Sequence, residues 1–299
     1  MTRRKKWNPK TKEAKIKNGE GQGEGANYKY WVGIRDAPSN KNLYRLYSHK
    51  LKRMVLAIAG AEPKYFYILE WNLGHVLTNG YVLTDIREQH PMFDQVMLDQ
   101  TKFSTLSIAD EAGIKHPELD KYPTIMTSDF CLTLTRGDEV RYLIRTVKPK
   151  SDLKWHKNGN ANSTLQKFEI ERRYWKKRGY DWKIVTEDQI PKIFSKNIET
   201  LREYYFREQL ELPDLPLSFT ELKERLSIQV VSSPNEALNE ITSKFDHLYG
   251  FEEGTSLPIA YHCIACNLWQ VNLHQQPFNP DLPIHILNSS AFSDRGEAK

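Results

Sequence analysis

Two β-rich runs separated by a tight turn constrain this chain more than any other feature. Asp129-Phe-Cys-Leu-Thr-Leu-Thr135 and Val140-Arg-Tyr-Leu-Ile-Arg-Thr-Val-Lys148 are dense in β-branched and aromatic residues and flank Arg136-Gly137-Asp138-Glu139. A two-residue loop opening on glycine fits a type II′ turn, which pairs Arg136 with Glu139 and makes facing residue numbers sum to 275. That register sets Asp129 opposite Thr146. Lys148 then shares the face of Asp129 as a diagonal neighbour, at roughly 7 to 8 Å. An acid and an amine on one face can meet over a single phosphate.

The run to either side of the hairpin extends it into a sheet. Tyr44–Tyr47, Met54–Ile58 and Tyr81–Ile86 read as further strands, and Gly60-Ala-Glu62-Pro63 opens a helix with proline in its first turn. Residues between 91 and the hairpin read as a long polar connection. Asn162 or Ser163 caps a helix whose apolar face holds Leu165, Phe168, Ile170, Tyr174 and Trp175, stopped by Gly179. With a strand at 181–185 this makes a βαβ crossover with parallel strands. Near residue 190 the pattern turns helical: Phe219–Leu226, Asn235–Tyr249 and Leu257–Trp269 read as helices, and Gln270–Leu273 as a strand or wing. The expectation is two domains, 1–189 a mixed α/β sheet and 190–299 a smaller winged-helix-like unit.

Composition narrows the class. A hydrophobic fraction of 39% with 27% charged residues is that of a globular protein, and no apolar run approaches the roughly 20 residues of a membrane span. No signal-peptide core stands at the N-terminus, and three cysteines argue for a reducing cytoplasm rather than a disulfide framework. Cys263-Ile-Ala-Cys266 beside His262 is half a zinc motif without a second half, and reads better as small buried thiols on a helix. The formal charge is only +5, but it is clustered: Arg3, Arg4, Lys5 and Lys6 with Lys10 to Lys17, then Lys148, Lys150, Lys154 and Lys157, then Arg172, Arg173 and Lys176 to Arg178. Phosphate backbone is the natural partner, and a solvated face or tail the plainer reading. Gly19, Gly21, Gly23 and Gly25 alternate without the Gly-Lys-Ser/Thr ending of a phosphate loop, so they mark flexible or closely packed backbone.

Three side chains carry chemistry. Hydrolysis of a phosphodiester needs an activated water and neutralisation of developing negative charge, which carboxylate-held Mg²⁺ supplies, Mn²⁺ being a substitute. Asp129 is the candidate central ligand, Glu62 the second carboxylate, the Val147 carbonyl a backbone oxygen, and Lys148 the group that orients or deprotonates water and stabilises the transition state. Taken singly, Asp129 is a strand-end residue, Lys148 a solvated edge lysine and Glu62 an ordinary first-turn acid. Lys6, Lys150, Arg172 and Arg173, with Arg3, Arg4 and Lys5, are the candidate DNA contacts.

In order along the chain come Gly21-Gln22-Gly23, Arg45-Leu-Tyr47-Ser48-His49-Lys50, Leu69-Glu70-Trp71, Asp85-Ile-Arg87-Glu88-Gln89, Gly113-Ile-Lys115-His116-Pro117, Thr127-Ser-Asp129-Phe130, Val147-Lys148-Pro149 and Glu171-Arg-Arg-Tyr-Trp175. This resembles TnsA, the endonuclease subunit of heteromeric Tn-seven-like transposases, over most of 19–190. The resemblance implies a restriction-endonuclease-like catalytic domain that cuts the 5′ strands at transposon ends in double-stranded DNA. It also implies a separate TnsB-type transposase for the 3′ strands and a TnsC-type AAA+ ATPase engaging the C-terminal part, with no small-molecule cofactor and no membrane. It sets the catalytic Glu, Asp and Lys at Glu62, Asp129 and Lys148. One departure stands out: Thr146 occupies the place, two before the lysine, where such sites often carry Glu or Gln. The rival readings are a free-standing restriction or repair nuclease and a non-catalytic DNA-binding adaptor that recruits the ATPase.

Overall fold

The computed structural model describes residues 6–33, 36, 43–58, 60–77, 79–96, 102–154, 160–210, 212–213 and 216–289. The chain divides into two compact units, Met1–Ile190 and Pro191–Lys299. Arg3, Arg4 and Lys5 lie outside the described residues.

The first unit opens with helix α1 (Pro9–Lys17), capped by the Asn8 side chain on the Thr11 amide. The basic N-terminal segment is therefore folded from Pro9 onward. Trp7 is also tied down, its amide donating to Asp120 and its indole to the Pro123 carbonyl. An antiparallel pair follows, β1 (Leu43–Ser48) and β2 (Arg53–Ile58), then helix α2 (Glu62–Asn72) with Pro63 in its first turn as predicted. Strand β3 (Val82–Pro91) runs five residues past the predicted end at Ile86.

The stretch read as a polar connection holds real structure. Two small pairs, β4 (Gln95–Val96) with β5 (Lys102–Phe103) and β6 (Glu118–Leu119) with β7 (Tyr122–Pro123), bracket helix α3 (Thr105–Ala112). Its signals were Ser104 as cap, reciprocally bonded with Ser107, and Gly113 in the left-handed region at the far end (φ 64°). Serine stood where glutamate more often closes a capping box, and an eight-residue helix carries little periodicity to compensate.

The predicted hairpin is present as β8 (Thr127–Arg136) and β9 (Glu139–Val147), with Arg136 facing Glu139 and Phe130 facing Arg145. Gly137 has φ 55° and supplies the turn. Helix α4 (Asn160–Lys177) begins ahead of the predicted caps at Asn162 and Ser163, and leads through Gly179 into β10 (Asp181–Val185). Strand β10 pairs parallel with β9, Asp181 opposite Leu143, as the βαβ reading required. The mixed four-stranded sheet has the order β10-β9-β8-β3. On one side Cys131 and Ile144 pack with Ile170, Tyr174 and Trp175 of α4 and with Ile108 and Ala109 of α3. On the other, Phe130 stacks on Phe66 of α2 at 6.5 Å. Burying side chains of this size stabilises by about 1.5–3 kcal/mol each, enough to fix α2 and α4 against the sheet.

In the second unit α5 (Lys192–Leu201) precedes α6 (Phe219–Ser232), α7 (Leu238–Tyr249) and α8 (Ser256–Ala265). Helix α6 is longer than predicted, and α8 stops before Trp269, which opens strand β11 (Trp269–Val271) paired with β12 (Ile286–Ser289). Trp269 is fully buried and donates its indole N–H to Ser227 of α6 at 2.7 Å. Asn267, in the left-handed region at φ 57°, ends the helical run just before that strand. Cys263 lies in the core of this unit, where burial pushes its thiol up to about 12. Cys266 packs beside His262 and directs its thiol toward the Tyr205 carbonyl. Among the described residues no helix is long and apolar enough to cross a membrane.

Candidate active site

Glu62, Asp129 and Lys148 come from three different elements. Asp129 and Lys148 stand at the open end of the β8–β9 hairpin, remote from its turn. Glu62 is the first residue of α2, and its Oε2 accepts the Ile58 amide at 2.8 Å, tying the helix start to the end of β2. Both acids are buried, at 4% and 7% exposure, whereas the Lys148 side chain keeps 21% and faces solvent. The backbone of Lys148 is held by β10, its amide donating to the Val185 carbonyl at 2.9 Å.

The route by which Asp129 reaches Lys148 differs from the one read off the register. The β8–β9 ladder ends at Phe130–Arg145, one rung short of Asp129–Thr146. Instead the Asp129 Oδ2 accepts the Val147 amide at 2.7 Å and the Lys148 ammonium at 3.2 Å. The diagonal neighbours of the prediction are thus a direct ion pair. Alternation shows the cause. Ser128 accepts the Trp175 indole N–H of α4, and Cys131 packs in the same core cluster as Trp175. In an unbroken strand residues three apart face opposite sides, so β8 loses its alternation between them, at Asp129.

A fourth side chain belongs to the site and sequence reasoning assigned it no role. Glu171 of α4 is 3% exposed, and one of its oxygens accepts hydrogen bonds from the Ser128 and Thr146 hydroxyls, both at 2.5 Å. Burial pushes its carboxyl up to about 7 against the opposing pull of those hydroxyls and of Trp182, and the charge of Asp129 adds to the rise. Its signal was present: 168, 171 and 175 fall on one helical face, so a carboxylate sits within an apolar stripe. Thr146, which stands where such sites often carry Glu or Gln, spends its hydroxyl on Glu171.

These acids set the state of Lys148. Burial works against its charge, but Asp129, then Glu62, the hydrogen bond to Asp129 and Glu171 outweigh it, so the ammonium holds its proton above the usual lysine range. Among the described residues no group of three or more His, Cys, Asp or Glu side chains is arranged to hold a metal ion. Two carboxylates and a backbone carbonyl suit a hard cation that keeps several waters and completes its shell on a phosphate. The donor set of Glu62, Asp129 and Val147 fits that pattern.

The predicted DNA contacts are scattered. Lys6 is exposed ahead of α1. Lys150 pairs with Asp188 at 2.6 Å, and Arg172 and Arg173 both bond Glu169 on their own helix, at 2.8 and 2.6 Å. Exposed pairs of this kind stabilise by at most about 1 kcal/mol.

Buried acids around a lysine, at the end of a mixed sheet flanked by helices, define an α/β protein with an acidic site at one sheet end. Residues 83–187 match the family model described as TnsA-like endonuclease N terminal, and residues 189–273 that of TnsA endonuclease C terminal. The chain belongs to the TnsA-like family. It is 33% identical over 187 residues to the transposon Tn7 transposition protein TnsA of Escherichia coli, a match covering 62% of this chain and 60% of that protein. Asp129, Lys148 and Glu171 fall within the N-terminal match, and Glu62 lies ahead of it.

Proposed function

We propose that this chain is a metal-dependent DNA endonuclease subunit of a transposase, cutting the 5′ strands at transposon ends. The observation that carries the reading is the Lys148–Asp129 ion pair, with Glu62 and Glu171 contributing to the field on the same ammonium. Structural ion pairs are common on surfaces, but a buried aspartate joined to a lysine that stays solvent-accessible offers an acid and a cation to an incoming phosphodiester together.

Mg²⁺ held by Glu62, Asp129 and the Val147 carbonyl would polarise the phosphoryl oxygen and lower the pKa of bound water. The chain's own residues account for the rest. Asp129 is held in place by the Val147 amide, so its carboxylate needs little reorganisation when substrate arrives. Lys148, paired with Asp129, faces the incoming phosphate, where it stabilises charge on the pentacoordinate phosphorus and orients the attacking water. Glu171 positions Ser128 and Thr146, the residues on either side of the Asp129–Val147 contact.

Membership of a family with a transposition protein supports DNA transposon ends as substrate and a TnsB-type transposase and TnsC-type ATPase as partners, with the second unit as the ATPase-binding part. The test is transposition reconstituted with those partners, comparing the native chain with Asp129→Ala. Loss of 5′-strand cleavage with 3′ joining retained supports the reading; undiminished 5′ cleavage removes it in favour of an adaptor role.

A further inference from the structure

The break at Asp129 has a counterpart on the neighbouring strand. The ladder between β3 and β8 runs Glu88–Phe130 and then His90–Ser128, passing over Gln89 and Asp129. Gln89 has φ 46°, in the left-handed region that side chains with a Cβ seldom occupy, and it does so inside a strand. Strand β3 loses its alternation at the same point. Arg87 donates to Thr133 at 2.9 Å and lies against Cys131, and His90 stacks on Trp175 at 5.7 Å, so both face α4 although three residues apart. Glu88, between them, turns the other way to Arg53 of β2 at 2.7 Å. One irregularity therefore spans two strands, and Gln89 and Asp129 share it.

The Gln89 side chain does not explain why the chain tolerates this. It is 3% exposed, and among the described residues its Oε1 accepts only a long 3.4 Å contact from the Thr127 hydroxyl and its Nε2 has no partner. An unsatisfied buried donor and a left-handed non-glycine residue both destabilise. What the kink gains is position: with regular alternation Asp129 would face Thr146, whose hydroxyl belongs to Glu171, instead of meeting the Val147 amide and Lys148.

We propose that Gln89 is a positioning residue for the candidate active site, its left-handed backbone turning the Asp129 rung out of the ladder so that the carboxylate reaches Lys148. This rests on the endonuclease reading above and adds a residue from the edge strand that touches no substrate. It makes backbone conformation, and not the amide, the active property of position 89.

Glycine, alanine and valine separate the two. Gln89→Gly frees the backbone and deletes the amide; Gln89→Ala deletes the amide but keeps the Cβ that the native glutamine already carries in this conformation; Gln89→Val adds β-branching that disfavours it. In the full chain within the assembled transposase, single-turnover 5′ nicking by Gln89→Gly and by Gln89→Ala is expected within about threefold of native. Gln89→Val, strand-favouring, is expected to lose roughly 5- to 30-fold while keeping its metal-free melting temperature. The rise in melting temperature on adding Mn²⁺ alone should follow the same order, a readout that does not depend on cleavage. Should the valine variant fail to fold, alanine decides: a loss of about tenfold or more there returns the role to the amide and overturns the inference. A folded valine variant as active as native overturns it as well. Asp129→Ala run alongside keeps the failures apart: if it still nicks, the endonuclease reading falls; if it is dead while valine matches native or alanine is lost, only the role of Gln89 falls.

Discussion

The two ends of the β8–β9 hairpin obey different rules. At the turn end the ladder is regular from Phe130–Arg145 to Arg136–Glu139, Gly137 takes the positive φ its turn needs, and Glu139 is paired with Arg136 and Arg141 in solvent. At the open end the rung at Asp129 is missing on both sides, and buried acids crowd one lysine. The turn end minimises local strain; the open end accepts strain and buried charge to bring three elements together. Regular structure builds the platform, and the departure from it builds the site.

Substitutions at the two ends should therefore separate activity from stability. The largest effect is expected from Asp129→Ala or Lys148→Met, each lowering single-turnover 5′ nicking by roughly a hundred- to a thousandfold, as loss of a preorganised charge group does. Asp129→Ala also strands the Val147 amide and should lower stability by about 1–3 kcal/mol in chemical denaturation.

Next in size is the pH dependence set by Glu171. A carboxyl raised from 4.5 to about 7 binds its proton more tightly folded than unfolded, so its contribution is present below pH 4.5 and is lost as pH rises through about 7. The loss is on the order of 3 kcal/mol. His90 has the opposite sign: burial first, then Arg87 and Arg178, push it down to about 3, so its contribution is present above 6.5 and is lost on acidification. Glu171→Gln should leave the His90 limb alone, giving denaturation curves whose stability falls steadily below pH 6.5 and is flat above it. A variant that still loses stability between pH 6.5 and 8 would show that the titrating group is elsewhere.

A smaller effect is expected at the glycine loop. A Cβ on Gly21 would stand 2.4 Å from Pro91 Cγ and its φ is 75°, so Gly21→Ala should lower stability by about 1–3 kcal/mol through overpacking, measured by thermal melting. Gly137→Ala is the smallest: nothing lies within 4 Å of its Cβ, so only the positive φ resists, at about 1–2 kcal/mol, with nicking unchanged. Reduced nicking in the Gly137 variant would erase the contrast between the two ends.

What the sequence disclosed follows the same division. Alternation and turn chemistry gave the hairpin register from Phe130 onward, the parallel strand at 181–185 and the proline-led helix at Glu62, because each depends on neighbours a few residues away. The helix at Thr105 was missed although Ser104 and Gly113 mark its ends. The kink was not legible at all: Gln89 and Asp129 are 40 residues apart, and neither identity announces a left-handed backbone or a skipped rung. Reading the register through to Asp129 therefore placed the carboxylate opposite Thr146, on the right strand and the wrong rung. Glu171 was visible as an acid in an apolar stripe, yet its partners Ser128 and Thr146 become neighbours only when the sheet and α4 meet.

The most direct test is to locate Mn²⁺ by anomalous scattering in crystals of the chain bound to transposon-end DNA. We expect one ion shared by the Glu62 and Asp129 carboxylates, with the Val147 carbonyl in its shell and Lys148 beside the scissile phosphate. An ion held by only one of the two acids, with the other facing elsewhere, would contradict the site described above.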